Sequence, residues 1–315
     1  MRPPRLGPLV FSVFIGLAGL VAQTAEHADD WQIAAGGKLA FDVASVKKQP
    51  PGSFRPPSFP LDFGDSYNAV GGRFYADFPV ATYITFAYKL ALTAEQRQAM
   101  LAGLPKWVGM DVFEIEARAE GNPTKDQMRL MIQSLLADRF QLEIHFESRE
   151  MPVYALALAK PGKLGPKLQR HEQGRSCEAS ATDIFPGRCN ILAMLLRPGG
   201  ARMTGARDIP MTYLAQGLPT MDSLGRPVID RTGLSGRFDF TMEWTPETTG
   251  PAPTVIGRGG SATPVPPPPD AVTPPDGDTP SFFQALREQL GLKLESSRDR
   301  VRTLVIDHIG SPSEN

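Results

Sequence analysis

Two stretches of this chain, residues 71–160 and 200–309, share one order of landmarks. Each begins with a strand led by Arg, followed by Pro and a helix start of Thr, Tyr and an apolar residue, at 82–84 and 212–214. Each continues with an alternating strand, an amphipathic helix and a final pair of strands. The similarity predicts an α+β protein built of two related strand-helix-strand-helix-hairpin repeats. The two stretches share the order of their elements but not a set of polar side chains that could carry out a reaction. This favours a binding scaffold over a catalyst.

The repeats also predict how the chain is divided, since 315 residues leave room for about two domains. We expect a first repeat with its leading strand at 39–165, a connecting segment at 166–199 and a second repeat at 200–315. Residues 246–278, inside the second repeat, are rich in Pro, Gly and Thr. This composition predicts a disordered insertion, because it buries too little apolar surface to offset the entropy that is lost on ordering.

The N-terminus predicts export. Arg2 and Arg5 form a positively charged start, residues 9–21 form an apolar run, and Ala25 offers a cleavage site. We therefore expect a signal peptide at 1–25 and a periplasmic or secreted protein whose mature chain has no membrane span. The alternative is an uncleaved anchor, although the apolar run is shorter than the roughly 20 residues that a spanning helix needs.

The two cysteines, Cys177 and Cys189, lie close together in a polar, turn-rich part of the connecting segment. In an oxidising compartment such a pair predicts a disulfide rather than a metal site, and two free buried thiols are the alternative. A metal site needs further ligands, and only His171 is close in the sequence. We therefore expect neither a metal nor another cofactor.

Capping signals mark the starts of the amphipathic helices. The helix at 124–139 has Thr124 as its expected N-cap, and Gln127 completes a capping box. In the second repeat the expected N-cap is Thr279, and Gly291 is expected to end the helix.

Each repeat is expected to close with a hairpin. In the first repeat, strand patterns at 141–147 and 153–159 flank a polar stretch at 148–152, which predicts a turn. The second repeat has matching strand patterns at 292–295 and 303–306, so we expect the same closure there.

The sequence offers little of the chemistry that catalysis needs. The chain has four His and a net charge of −1. It has no phosphate loop, nucleophile elbow, zinc-peptidase motif or dinucleotide fingerprint. No run of Lys or Arg forms a stripe that would neutralise phosphates, which argues against a nucleic-acid partner. We therefore name no catalytic residue and favour a protein that is not an enzyme.

Four side chains are the predicted binding residues. Trp107 and Trp244 each lie next to the central strand of a repeat, where we expect mostly buried rings; exposed rings would indicate ligand contact. Arg231 and Arg237 flank a turn with two glycines, a pattern that suits an anion clamp. The interpretation we prefer for this turn is structural: a tight connection whose glycines supply positive φ.

Several motifs of the chain occur together in one protein family. They are Phe41-Asp42-Val43-Ala44-Ser45-Val46-Lys47, Gly71-Gly72-Arg73-Phe74, Leu135-Leu136-Ala137-Asp138-Arg139-Phe140, Arg149-Glu150-Met151-Pro152-Val153-Tyr154 and Thr232-Gly233-Leu234-x-Gly236-Arg237-Phe238-Asp239-Phe240. Over residues 39–315 the chain thereby resembles an uncharacterised exported family that is expanded by duplication in soil acidobacteria. The same domain resembles a module that follows the BlaR-type membrane metallopeptidase in some proteins. That resemblance implies a sensing or interaction role outside the cytoplasm and supplies no catalytic residue.

A second resemblance, in pattern alone, is to the short N-terminal domains of secretins and TonB-dependent receptors, which bind partner proteins. It rests on Ala285-Leu286-x-x-x-Leu290-Gly291-Leu292 and the strands that follow. Taken together, the sequence predicts an exported, non-catalytic binding or interaction module. Its expected partner is an unknown protein or small molecule of the cell envelope. The alternative is an exported hydrolase with a site assembled between the two repeats.

Overall fold

The computed structural model describes residues 30–50, 52, 55–172, 174, 177, 185–246 and 279–312. The expected signal peptide at 1–25 lies outside these residues, as does the expected disordered insertion from 247 to 278. Helices and strands are both present, which confirms the α+β class. In the part of the chain that is described, every helix is too short or too polar to cross a membrane.

In the described residues, the first half of the chain contains five helices and four strands: α1 (Asp30–Ala34), β1 (Val43–Lys48), β2 (Arg73–Pro79), α2 (Val80–Ala87), α3 (Ala94–Leu101), α4 (Trp107–Met110), β3 (Val112–Arg118), α5 (Lys125–Phe140) and the long strand β4 (Glu143–Leu158). Three of the strands form an antiparallel sheet in the order β1-β3-β2. Helix α5 begins with the predicted capping box, in which Thr124 and Gln127 each accept a hydrogen bond from the backbone N–H of the other.

The second half has the elements β5 (Leu168–Arg170), β6 (Leu192–Leu196), a 3-10 turn (Pro198–Gly200), β7 (Arg202–Ile209), α6 (Met211–Met221), β8 (Val228–Asp230), β9 (Phe238–Trp244), α7 (Phe282–Ala285) with a π-helical continuation (Leu286–Leu290), and β10 (Leu292–His308). Four of its strands form an antiparallel sheet in the order β5-β9-β7-β6.

The last helix ends as predicted but begins two residues later than predicted. Gly291 ends it in the left-handed conformation, at φ 69°. The N-cap is Ser281 and not Thr279. Pro280 stays outside the helix because its carbonyl accepts a hydrogen bond of 3.0 Å from the N–H of Thr245, at the end of β9.

The closing hairpins predicted for both repeats are wrong. In place of each predicted hairpin the structure has a single long strand, β4 in the first half and β10 in the second. These two strands pair with each other, antiparallel, over sixteen residue pairs. The stretch 148–152, expected to turn, pairs with residues 298–302, so that β10 supplies its hydrogen-bond partners. Pro152 is tolerated because β8, the other neighbour of β4, pairs with residues 154–156 and not with Pro152.

Each of the two long strands, β4 and β10, extends into the hydrophobic core of the other half of the chain, an arrangement that we call the exchange of strand ends. Core 1, in the first half, surrounds β2, β3, α2 and α5, and it includes Leu304 of β10 with Ile306 packed against it. Core 2, in the second half, surrounds β7, β9, α6 and α7, and it includes Leu156 of β4 with Leu158 packed against it. Each half therefore completes its core with a strand end that belongs to the other half.

The two halves share the element order strand, helix, strand, helix, long strand, from β2 to β4 and from β7 to β10. Helices α3 and α4 occur only in the first half and β8 only in the second, so the correspondence is incomplete among the described elements. The segment 166–199, expected to be a connection, contributes β5 and β6 to the second sheet. Superposition of 71–160 on 200–309 stays a prediction.

A cluster of charged side chains fixes the Pro-rich loop before β2 to helix α5. Arg129 is fully buried, and its guanidinium donates to the backbone carbonyls of Asp62 (3.1 Å) and Gly64 (2.6 Å) and to the carboxylate of Asp65 (3.1 Å). Lys125, also buried, lies 2.5 Å from the carboxylate of Asp62, and its pKa is lowered mainly by burial. Buried charges of this kind are stable only when paired and hydrogen-bonded.

The same loop also touches the second half of the chain. The ring of Phe63 lies 5.0 Å from the ring of Tyr213, in α6, between ring centroids. Burial is the main cause of the raised pKa of Tyr213, and the nearby carboxylates of Asp62 and Asp65 add to it. The loop therefore links the charged cluster on α5 to helix α6.

We expect Leu304→Ala to lower the free energy of unfolding by about 2–5 kcal/mol, because it opens a cavity in the core of the first half although Leu304 belongs to the second. Urea denaturation followed by far-ultraviolet circular dichroism measures this. The control is Val43→Ala, at a side chain that is 64% exposed, with an expected effect within about 0.5 kcal/mol. Equal unfolding free energies for the two variants would contradict the contribution of Leu304 to the core of the first half.

Replacement of Arg129 by Met keeps the apolar stem but leaves the backbone carbonyls of Asp62 and Gly64 without their charged donor, while the carboxylate of Asp65 keeps its second cation, Lys89. The expected loss is about 1–3 kcal/mol of unfolding free energy, the cost of leaving buried carbonyl acceptors without their donor. The matched control is Arg139→Met, at an exposed position of the same helix. Equal stabilities of the two variants in urea denaturation would show that the cluster does not anchor the loop.

Candidate functional site

A groove of about 850 Å³ lies between the turn that follows β4 and the helix that leads into β10. Ligand pockets in proteins usually have volumes of about 300–1,000 Å³, so the groove is large enough for a small molecule or a short peptide segment. Its lining includes Lys160, Lys163, Gly165, Phe283, Arg287 and Glu288.

Backbone contacts hold the turn against the end of the helix. The N–H of Gly165 donates to the carbonyl of Leu290 (2.9 Å), and the N–H of Ala159 donates to the carbonyl of Gly291 (2.8 Å). A side chain on Gly165 would overlap the backbone of residues 289–291. Glycine is therefore required at position 165. This wall of the groove depends on the packing of the turn against the end of the helix, so it forms as the protein folds.

The opposite wall is the π-helical turn Leu286–Leu290. Leu286 and Leu290 point into core 2 and are fully buried, whereas Arg287 and Glu288 are exposed and line the groove. Short π-helical turns occur often at functional sites, because the extra residue in the turn re-aims the side chains.

The groove combines positive charge with an apolar ring. Lys160, Lys163 and Arg287 carry three positive charges against the single carboxylate of Glu288, so the charged lining residues have a net charge of +2. Phe283 is 42% exposed, which is unusual for a Phe. This arrangement suits a ligand that has both a negative charge and an apolar part.

The two predicted binding arginines are paired with different partners. Arg231 forms an ion pair with Asp299 of β10, and the pKa of Asp299 is lowered, chiefly by this hydrogen bond. The Nε of Arg237 donates to the carboxylate of Asp208 (2.5 Å), and its Nη2 contacts Asn190. The structure therefore does not bring the two guanidinium groups together in one anion clamp.

The turn between these arginines has the features of a tight connection. Gly233 and Gly236 have φ of 67° and 95°. The carboxylate of Asp230 accepts hydrogen bonds from the N–H (2.9 Å) and hydroxyl (2.7 Å) of Thr232. Such local bonds fold the turn without a ligand.

The two predicted tryptophans pack inside the protein. Trp244 is fully buried in core 2, with its ring centroid 5.4 Å from that of Phe282. Trp107 is partly buried against core 1, stacked on Phe140 at 6.3 Å and edge-on to Phe113 at 5.9 Å. None of the four predicted residues is among those that line the groove.

The disulfide predicted between Cys177 and Cys189 is present, with a Cα–Cα distance of 5.1 Å. Cys189 is buried and Cys177 is exposed. The bond fixes part of the connecting segment beside the second sheet.

Sequence reasoning missed the groove residues. The turn at 160–166 contains two lysines, two glycines and two prolines, which is typical of an exposed basic turn and indicates no partner. Its contact with the helix at 282–290 joins residues far apart in the chain. No local sequence pattern contains that information.

Comparison with known proteins gives a family and no described activity. A family model described as "Protein of unknown function (DUF3738)" matches residues 81–309, which is more than half of the chain. Searches of curated proteins and of solved structures found no match.

We expect Gly165→Ala to lower the unfolding free energy by about 1–3 kcal/mol, because the added methyl group forces the turn away from the helix end. Thermal unfolding measures the change. The control is Gly109→Ala, whose methyl group would meet only the flexible end of Leu101, at 3.2 Å. Equal melting temperatures for the two variants would show that the close backbone contact is not needed.

Proposed function

The chain belongs to the DUF3738 family, whose function is unknown, and we propose that it is an exported, non-catalytic binding module. Its groove takes an anionic ligand that also carries an apolar group. The ligand is a small molecule or a segment of a protein of the cell envelope.

The observation that carries the proposal is the local excess of positive charge. The whole chain has a net charge of −1, whereas the charged residues of the groove sum to +2. Lys160, Lys163 and Arg287 are all exposed, so that they attract an anion from solution and can contact it once it is bound.

Phe283 supplies the apolar half of the proposed recognition. Its ring lies edge-on to Tyr154 at 6.4 Å and to Phe282 at 5.9 Å between centroids. These neighbours restrict the ring before any ligand arrives, which reduces the entropy that is lost on binding.

Export and a sensing-related role are part of the proposal. The disulfide supports export, because such bonds persist mainly in oxidising compartments. The charged and then apolar N-terminus supports it as well. The resemblance to the acidobacterial family and to the module behind BlaR-type peptidases supports recognition of a ligand or partner outside the cytoplasm.

Binding of 8-anilinonaphthalene-1-sulfonate, an anion with apolar rings, tests the groove. We expect saturable fluorescence enhancement with the folded, oxidised chain, and weaker binding as salt is added, since salt screens exposed charges. Arg287→Gln and Phe283→Ala are each expected to weaken binding about fivefold or more, which corresponds to one lost contact of about 1 kcal/mol.

The matched control is Arg298→Gln, which removes an exposed arginine of β10 that pairs with Glu150 at 3.0 Å. It should bind the probe like the unmodified chain. Equal affinities for all variants would contradict the groove as the binding site. Turnover of a chromogenic ester or peptide by the purified chain would contradict the non-catalytic part of the proposal and favour the hydrolase alternative.

A further inference from the structure

Four metal-ligand side chains meet beside the second sheet: His171, Cys177, Cys189 and Asp208. Each offers one ligand atom, and these atoms all lie within 4.8 Å of one another. We propose that reduction of the disulfide turns this cluster into a binding site for zinc or another thiophilic divalent cation. The cluster shares no residue with the groove, so this activity goes beyond the proposed function.

The ligand set is one that zinc prefers. Two thiolates, an imidazole and a carboxylate give four ligands for tetrahedral coordination. With zinc–ligand distances of about 2.0–2.3 Å, the ligand atoms of such a site lie about 3.3–3.8 Å apart. Ligand atoms that are now up to 4.8 Å apart must therefore approach by up to about 1.5 Å, whereas the two sulfurs, bonded to each other in the disulfide, must separate to about 3.8 Å after reduction. Among the described residues Cys177 is at least partly exposed, so a cation from solution can reach the cluster.

His171 is already oriented as metal-ligating histidines are. Its Nδ1 lies 2.7 Å from the carboxylate of Asp239, and both side chains are about nine-tenths buried, with 10% and 7% of their surfaces exposed. The same carboxylate oxygen accepts a hydrogen bond of 2.8 Å from the N–H of Asp208. Because Nδ1 is held in this way, we assign Nε2 to the metal. A carboxylate on the other ring nitrogen is the usual support of such a ligand.

Asp208 reaches the cluster from an irregular point in β7. The register of β7 against β9 shifts between Ala206 and Ile209, and Asp208 has a positive φ of 54°. Bulges of this kind re-aim one side chain of a strand. The positive φ is uncommon for a residue other than glycine and is often found at functional positions.

Arg237 supplies the charge that the metal site would need. Two thiolates and the carboxylate of Asp208 carry three negative charges, and a divalent cation leaves one of them uncompensated. The Nε of Arg237 already donates to that carboxylate at 2.5 Å and balances the charge of the ligand set, while the carboxylate of Asp239 behind His171 adds one further negative charge beside the site. In this proposal Arg237 and Asp239 are positioning residues.

Reduction opens the site by thiol–disulfide exchange. A dithiol reductant gives two electrons and two protons, the S–S bond breaks into two thiols, and the reductant becomes a disulfide. Zinc then displaces the two thiol protons and binds the thiolates, the neutral imidazole and the carboxylate. In the oxidised chain the sulfurs are bonded to each other, and only His171 and Asp208 remain as ligands. The disulfide and the metal are therefore alternative cross-links of the same segment.

Cobalt(II) and zinc titrations test the proposal. The purified chain is reduced with dithiothreitol, the reagent is removed by gel filtration under anaerobic conditions, and thiol titration confirms two thiols. We expect one Co²⁺ per chain, with thiolate charge-transfer absorption and the d–d bands of tetrahedral geometry, and displacement by Zn²⁺. The oxidised chain should show neither signal.

Variants separate the four-ligand site from simple chelation by two thiols. His171→Ala and Asp208→Asn keep both cysteines and are expected to weaken zinc binding about tenfold or more, and Asp239→Asn about 10–100-fold. The control is His145→Ala, at an exposed histidine of β4 that pairs with Asp307 and should leave the affinity unchanged.

Three results would overturn the proposal. One is the absence of metal binding by the reduced chain. Another is an unchanged zinc affinity in both His171→Ala and Asp208→Asn, checked for native circular dichroism in their oxidised forms. If reduction unfolds the chain, zinc is expected to restore the native spectrum, and failure to do so is the third.

Discussion

The antiparallel pairing of β4 with β10 is the interaction on which both halves of this protein depend. The pairing extends over sixteen residue pairs and carries Leu304 into the core of the first half and Leu156 into that of the second. Burial of such side chains is the main favourable term in folding, so neither half keeps its full core when the other is absent. The ladder thus makes one cooperative structure from a chain whose sequence suggests two units.

Both proposed sites are consequences of this ladder. Beyond the paired part of β4, the chain turns at residues 160–166 and meets the end of the last helix, which forms the groove. It then enters β5 and continues to His171, whose backbone N–H donates to the carbonyl of Arg237 (2.8 Å). A single continuous segment therefore runs from the groove to the proposed metal ligands, held at each end by backbone hydrogen bonds.

Predictions succeeded where a signal and its partner lie close in sequence. Thr124 and Gln127 form the expected capping box, Gly291 ends the last helix, and the disulfide joins cysteines that are twelve positions apart. They failed where a distant segment competes with a local signal. The polar stretch at 148–152 has turn-forming residues, but pairing with β10 satisfies its backbone and offers a longer ladder than a hairpin would.

The sequence by itself determined the α+β class, the capping box of α5, the end of the last helix at Gly291 and the cysteine pairing, because periodicity, capping and short-loop chemistry act over a few residues. Tertiary structure alone decided the exchange of strand ends, the groove and the meeting of Asp208 with His171 and the two cysteines. Each of these joins residues from distant parts of the chain. Their distances depend on the register of whole strands and on which core each strand end enters, which no local pattern specifies.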